Sequence, residues 1–176
     1  EGKIPNPTQA NLSYYDEMMG MDFQLNVNFI ALSLKKWLPR MKSYQHKNVA
    51  EAIYETIMNL KQTGKNENIL RNAYVKFMCW LYYKFERIVD ELGEEQLPKI
   101  LYEGNVSTYE LLMLNILATA GCDIILLEYK GDEEYLKIDP NSSKSKIYQM
   151  PGMTKFPNDF SLKQIQRDIQ ENLNVE

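Results

Sequence analysis

Apolar positions recur at three- and four-residue intervals through the first half of the chain, then give way to short apolar runs after Pro98. Phe23, Val27, Ile30, Leu34 and Leu38 make one stripe behind Asp22, a good N-cap, which predicts a helix over about 23–38 that Pro39 ends. Val49, Ile53, Ile57 and Leu60 behind Asn48 predict a second helix over about 48–62, stopped at Gly64. The third, over about 67–92, holds helical spacing from Ile69 to Leu92 and adds Cys79, Trp80, Tyr82 and Tyr83. A helix apolar on more than one face is central to its domain or covered by a second layer. Residues 1–21 read as an extended arm, because Pro5 and Pro7 disfavour helix before them and Asn6, Asn11 and Ser13 favour turns. Tyr14, Tyr15, Met18, Met19 and Met21 give that arm enough apolar mass to lie on the body.

Past the break at Gly93–Pro98 the period changes. Ile100-Leu-Tyr102 is a short apolar run, Glu103-Gly-Asn105 breaks it, an apolar helical stretch follows and Gly121 closes that stretch. Ile124-Ile-Leu-Leu127 comes directly after. Strand, turn, helix, stop and strand make the βαβ pattern of two parallel strands with a right-handed crossover. Tyr135-Leu-Lys-Ile-Asp-Pro140 alternates like an edge strand, and Lys146-Ile-Tyr-Gln-Met150 reads as a third short strand. Ser161-Leu-Lys-Gln164 opens a last amphipathic helix through Leu162, Ile165, Ile169 and Leu173. The expected fold class is α/β (α+β overall): an N-terminal helical bundle followed by a small, mostly parallel three-stranded Rossmann-like βαβ unit. Its parts are an arm at 1–21, a helical subdomain at 22–93, and an α/β subdomain at 94–176 with a C-terminal helix.

Composition narrows this only slightly. The chain has 176 residues, enough for a real core, with 24 acidic against 20 basic residues and a net charge of −4. That balance gives no electrostatic reason to expect nucleic acid or an anionic membrane as a partner, and no run of about 18 apolar residues would cross a bilayer. Cys79 and Cys122 sit in apolar segments without a CxxC or Cys/His pattern, so both read as buried free thiols of a reducing compartment. The start, Glu1-Gly-Lys-Ile-Pro5, lacks an initiator methionine and a signal-peptide pattern and reads as an excised or processed piece.

Chemistry concentrates at one turn. Gly104 and Asn105 tolerate the positive φ that a sharp strand-to-helix turn needs. Ser107-Thr-Tyr-Glu110 is a capping box, with Ser107 the cap and Glu110 reaching back to its N–H. A helix start after a parallel strand presents free N–H groups and a positive dipole end, so Gly104, Asn105, Ser107 and Thr108 are the expected cradle for an anion. The turn is neither GxGxxG nor a Walker loop, and every βαβ unit has one. Glu103, Glu128 and Asp132 fall on the same expected rim with Glu133 and Glu134. Paired carboxylates there would hold Mg²⁺ beside a nucleotide, although a solvated acidic loop is the ordinary reading. No cofactor is otherwise evident. The one basic concentration, Lys35-Lys-Trp-Leu-Pro-Arg-Met-Lys42 with His46-Lys47, reads as a solvated helix end, and the lone His46 falls in a polar loop. No metal site or catalytic residue emerges.

The run Pro98-Lys-Ile-Leu-Tyr-Glu-Gly-Asn105, with Tyr109-Glu-Leu111, Leu117, Gly121-Cys-Asp-Ile-Ile125, Ile138-Asp-Pro140 and Phe156-Pro157, resembles the bacterial YceG-like proteins. Those are described as components of a "biosynthetic module" encoded beside tellurium-resistance and stress-response genes, with phosphoribosyltransferase-like and nucleotide-grasping enzymes as neighbours. The resemblance is best over about 98–160 and brings no established catalytic residues. It implies a cytoplasmic stress-related protein whose ligand is a nucleotide or sugar-phosphate, whose partners are other proteins of the operon, and which is one unit of a longer chain. The competing expectation is a non-catalytic scaffold that uses its helical half and exposes an apolar patch at about 23–38 or 67–92.

Overall fold

The structure, a computed structural model, describes residues 8–9, 12–128, 131–149 and 167–171. Through them run α1 (Leu12–Gly20), α2 (Val27–Trp37), α3 (Ser43–Gln62), α4 (Glu67–Tyr83), α5 (Glu86–Val89), β1 (Lys99–Glu103), α6 (Thr108–Thr119), β2 (Asp123–Leu127) and α7 (Asp132–Ile138). Residues 167–171 are again helical and belong to the last expected helix, whose remainder lies outside the described residues. The chain divides into two compact units, one of Glu1–Tyr102 with Val106–Leu127, the other of Glu103–Asn105 with Glu128–Glu176.

The first unit thus runs past residue 94, where the change of period was read. β1, α6 and β2 belong with the helices, because α6 packs along α3 and places Met113, Ile116 and Leu117 in the core cluster of α2, α3 and α4. As expected, α4 is the centre of this unit: Leu70, Ala73, Tyr74, Val75, Phe77, Met78, Cys79, Trp80 and Leu81 are all buried. β1 and β2 form a parallel two-stranded sheet. Ile100 and Ile124 pack against the core, while Leu101 and Ile125 alternate with them on the exposed side.

Several local expectations fail for identifiable reasons. The arm contains a helix, since Tyr14 and Met18, four residues apart, are both buried, and tertiary burial outweighs the turn-forming neighbours. The expectations at Pro5 and Pro7 lie outside the described residues. α2 starts later than Asp22, because Asn26 accepts from the Phe29 N–H at 2.8 Å and so takes the capping role. α3 begins at Ser43 instead of after Asn48; Gln45 accepts from the Lys42 N–H at 2.7 Å and donates to the carbonyls of Asp90 and Leu92. His46 is thereby a buried helical residue instead of a loop residue, its Nε2 lying 3.0 Å from the Leu38 carbonyl.

The long third helix is two. α4 ends at Tyr83, where the N–H groups of Lys84 and Phe85 both reach the Trp80 carbonyl, and α5 begins three residues on, at Glu86. Neither proline nor glycine marks that break. The expected edge strand at Tyr135–Pro140 is α7: three acids fill its first turn, Lys137 pairs with Glu134 at 2.5 Å, and Tyr135 reaches Asp139 four residues on. Residues 145–149 carry no strand, so among the described residues the sheet has two strands where three were expected.

Candidate functional site

β1 delivers the chain to Gly104, whose φ of 104° is the conformation anticipated for it. Asn105 does not share it, since Ser142 is the one non-glycine residue with positive φ among those described. Ser107 then caps α6: its Oγ accepts from the Glu110 N–H at 3.4 Å, and its own N–H donates to Glu110 Oε2 at 2.9 Å. The reciprocal box stands as the spacing required. Burial pushes the Glu110 carboxyl up, but hydrogen bonds from Ser107 and Tyr102 outweigh it and hold the group below the usual carboxylate range.

Two donors of the first turn stay open. The N–H groups of Thr108 and Tyr109 meet no hydrogen-bond partner among the described residues, as first-turn groups do without an added acceptor. Lys76 on α4 brings a cation to this end of the helix, with its Nζ 4.6 Å from the centre of the Tyr109 ring and 5.5 Å from that of Trp80. Helix start and ammonium favour an anion; the Glu110 carboxylate at Ser107 opposes one. Of the four expected cradle residues, Ser107 and Thr108 belong to the first unit, and Gly104 and Asn105 to the second.

The expected rim carboxylates sit at the ends of three elements. Glu103 is exposed at the end of β1, Glu128 is half-buried after β2, and Asp132 opens α7 and accepts from Gln149 Nε2 at 2.8 Å. Among the described residues no three His, Cys, Asp or Glu side chains come together to hold a metal ion.

The basic segment is balanced by carboxylates: Lys36 pairs with Glu17, Lys42 with Glu94, and Arg40 lies 3.7 and 3.8 Å from Glu86 and Asp90. Both cysteines are buried free thiols, as expected, and burial pushes Cys79 up to about 12 and Cys122 to about 11. No helix among the described residues is long and apolar enough to cross a membrane.

Residues 2–169 match the YceG domain. The chain belongs to the YceG domain family. No curated protein and no solved structure matches it.

One polar centre of this YceG-family chain escaped the sequence reading. Asp139, buried at the end of α7, accepts from the Tyr135 hydroxyl at 2.8 Å, the Ser143 N–H at 3.0 Å and hydroxyl at 2.8 Å, and the Lys144 N–H at 2.9 Å. Ser145 in turn donates to Tyr135 at 2.6 Å. Burial pushes the Asp139 carboxyl up, yet these donors outweigh it and lower it to about 2. With every oxygen occupied, the group organises a turn; the signal in the sequence is Asp-Pro followed by Asn-Ser-Ser-Lys, residues that bond their own backbone.

A depressed carboxyl stabilises the folded state fully above its unfolded value of 3.8, and that contribution is lost as pH falls towards 2. Asp139→Asn is therefore expected to cost about 2 kcal/mol at pH 7 and much less at pH 2.5. Urea denaturation at the two pH values, followed through a probe in α7, measures it; an equal cost at both would refute the assignment.

Proposed function

We propose that this YceG-family chain is a binding component of a cytoplasmic tellurium-resistance and stress-response biosynthetic module. In this reading it takes the phosphate of a nucleotide or sugar-phosphate at the start of α6, and the α/β part works in the Rossmann-like manner, with the ligand outside a strand's carboxyl end. Family membership and the resemblance across β1, α6 and β2 support the cellular context. The observation that carries the ligand is the pair of open N–H groups on Thr108 and Tyr109, with the Lys76 ammonium over the Tyr109 ring. Mg²⁺ would enter with the nucleotide phosphates.

Thr108 offers a specific test because it is the first helical residue, where proline is tolerated and removes the N–H together with the hydroxyl, so that Thr108→Ala, which removes the hydroxyl alone, serves as the control. Ser107 before it is extended, with ψ of 163°, as a residue preceding proline should be. Titrating ADP and ribose 5-phosphate by calorimetry should show binding that Thr108→Pro weakens about tenfold, the worth of one charge-assisted hydrogen bond. Glu110→Gln should strengthen it. No binding by the parent chain, or binding indifferent to Thr108→Pro, rejects the site.

The second reading is a non-catalytic scaffold among the other proteins of the operon. Leu32 on α2, 68 % exposed, favours it on the helical side where an apolar patch was expected, and Glu110 at the start of α6 favours it by opposing an anion. If Leu32→Glu removes the capture of a co-expressed neighbour while leaving ADP titrations unchanged, this reading replaces the first.

A further inference from the structure

α1 is held differently from the helices beside it. Close backbone packing joins α2 to α3 and α3 to α4 and α6, whereas α1 is seated by side chains along one stripe and by Arg71 of α4, which donates to the Met19 and Met21 carbonyls at its end. Tyr14 stacks on Tyr82 with ring centres 4.3 Å apart and meets Trp37 and Tyr83 edge-on at 4.6 and 5.8 Å. Glu17 accepts from Trp37 Nε1 at 3.0 Å and pairs with Lys36. Met18, four residues after Tyr14, is fully buried, while Leu12 and Met19 on the other side are about half exposed. The seat is thus an aromatic groove of Trp37, Tyr82 and Tyr83 with a cation at its edge, and it reads a helix as aromatic, acid and apolar residue at the first, fourth and fifth positions.

The resident fits this groove imperfectly. The Tyr14 hydroxyl is shut away from solvent without a hydrogen-bond partner, so the groove accepts the ring and penalises its oxygen. A helix of nine residues is also unstable by itself, and Met21–Asn26 tether it as non-helical chain. A longer helix with phenylalanine at the first anchor would keep each stacking contact, lose the penalty and pay less for ordering.

We propose that the groove of Trp37, Tyr82 and Tyr83 is a helix-docking site whose resident, α1, is displaced by a partner protein's acidic amphipathic helix bearing phenylalanine, glutamate and methionine at the Tyr14, Glu17 and Met18 positions. The site stands apart from both readings above, since neither the start of α6 nor Leu32 contributes to it. α1 then acts as an internal competitor that sets the threshold for the partner.

Fluorescence anisotropy with the whole chain tests this, using labelled peptides of the sequence 12–22 in three forms: unchanged, Tyr14→Phe and Glu17→Lys. The Tyr14→Phe peptide should bind about tenfold more tightly than the unchanged one, the expected gain from removing an unsatisfied buried hydroxyl. Glu17→Lys should abolish binding. Weakening the resident by Met18→Ala in the whole chain should raise affinity for the Tyr14→Phe peptide at least tenfold, and Glu17→Ala, whose side chain lies nearer the surface, serves the same purpose if Met18→Ala does not fold. Hydrogen exchange of the α1 amides should accelerate when peptide binds. Absence of saturable binding to any of these chains, or equal affinity for the unchanged and Tyr14→Phe peptides, overturns the proposal. A concentration-dependent dimer that exchanges α1 between copies overturns the choice of a partner helix in favour of a second copy.

Discussion

Replacing Gly121 with alanine is expected to cost this protein about 3 kcal/mol, the sum of a backbone penalty and a collision. Gly121 ends α6 with φ of 101°, a conformation that side chains resist. A Cβ there would lie 2.6 Å from the backbone nitrogen of Gly93 and 2.7 Å from its Cα, so the obstacle is main chain that no rotamer change can clear. The same crossing carries the hydrogen bond from the Gly93 N–H to the Gly121 carbonyl at 3.2 Å. Alanine must push the two strands of chain apart and lose that bond as well. Gly64→Ala supplies the control: it shares a positive φ of 82° but meets nothing within 4 Å, and should cost only about 1 kcal/mol. Urea midpoints at unchanged slope would measure both. Equal costs at the two positions would show that the close approach is not what glycine serves at Gly121.

Phe77→Ala should be the other large loss, about 4 kcal/mol. Phe77 is fully buried on the central helix, its ring centre 6.4 Å from that of Tyr109 on α6. Truncation removes an aromatic ring and leaves a cavity between elements far apart in sequence, which neighbouring rigid helices fill poorly. Phe77→Leu, which restores most of the volume, should recover more than half of the loss. A cost below about 2 kcal/mol for alanine would mean that α4 is less central than its burial indicates.

What could be read beforehand follows the range of the forces involved. The start and stop of α6 were legible because both are local: Ser107 and Glu110 cap each other within one turn, and Gly121 is the stop. Burial of α4 was legible because its apolar residues encircle it. The end of α4 was not, since no residue at Tyr83–Phe85 forbids a helix and the break is made by carbonyl sharing at Trp80. His46 misled for the opposite reason: its polar neighbours suggested a loop, while its burial comes from Leu38, eight residues back. α7 showed how brief alternation deceives, because Tyr135 and Asp139 suit a strand by period and a helix by their mutual hydrogen bond. At the candidate site, the turn was legible and the charge balance was not: Glu110 appeared as a helix-capping residue, and Lys76 reaches the same end from another helix.

The glycine crossing also provides a clock for local opening. The Gly93 amide is exposed chain tied to Gly121 by one hydrogen bond, and the stretch between those residues contains all of β1 and α6. An amide so placed exchanges with deuterium whenever the two ends of that stretch part, even if α6 keeps its own ladder of bonds. Its exchange rate, set against that of the interior α6 amides, therefore separates the lifting of the strand–helix stretch as a body from the unravelling of its helix. If Gly93 exchanges in step with the slowest amides of α4, the stretch has no independent motion and opens only with the whole of its core.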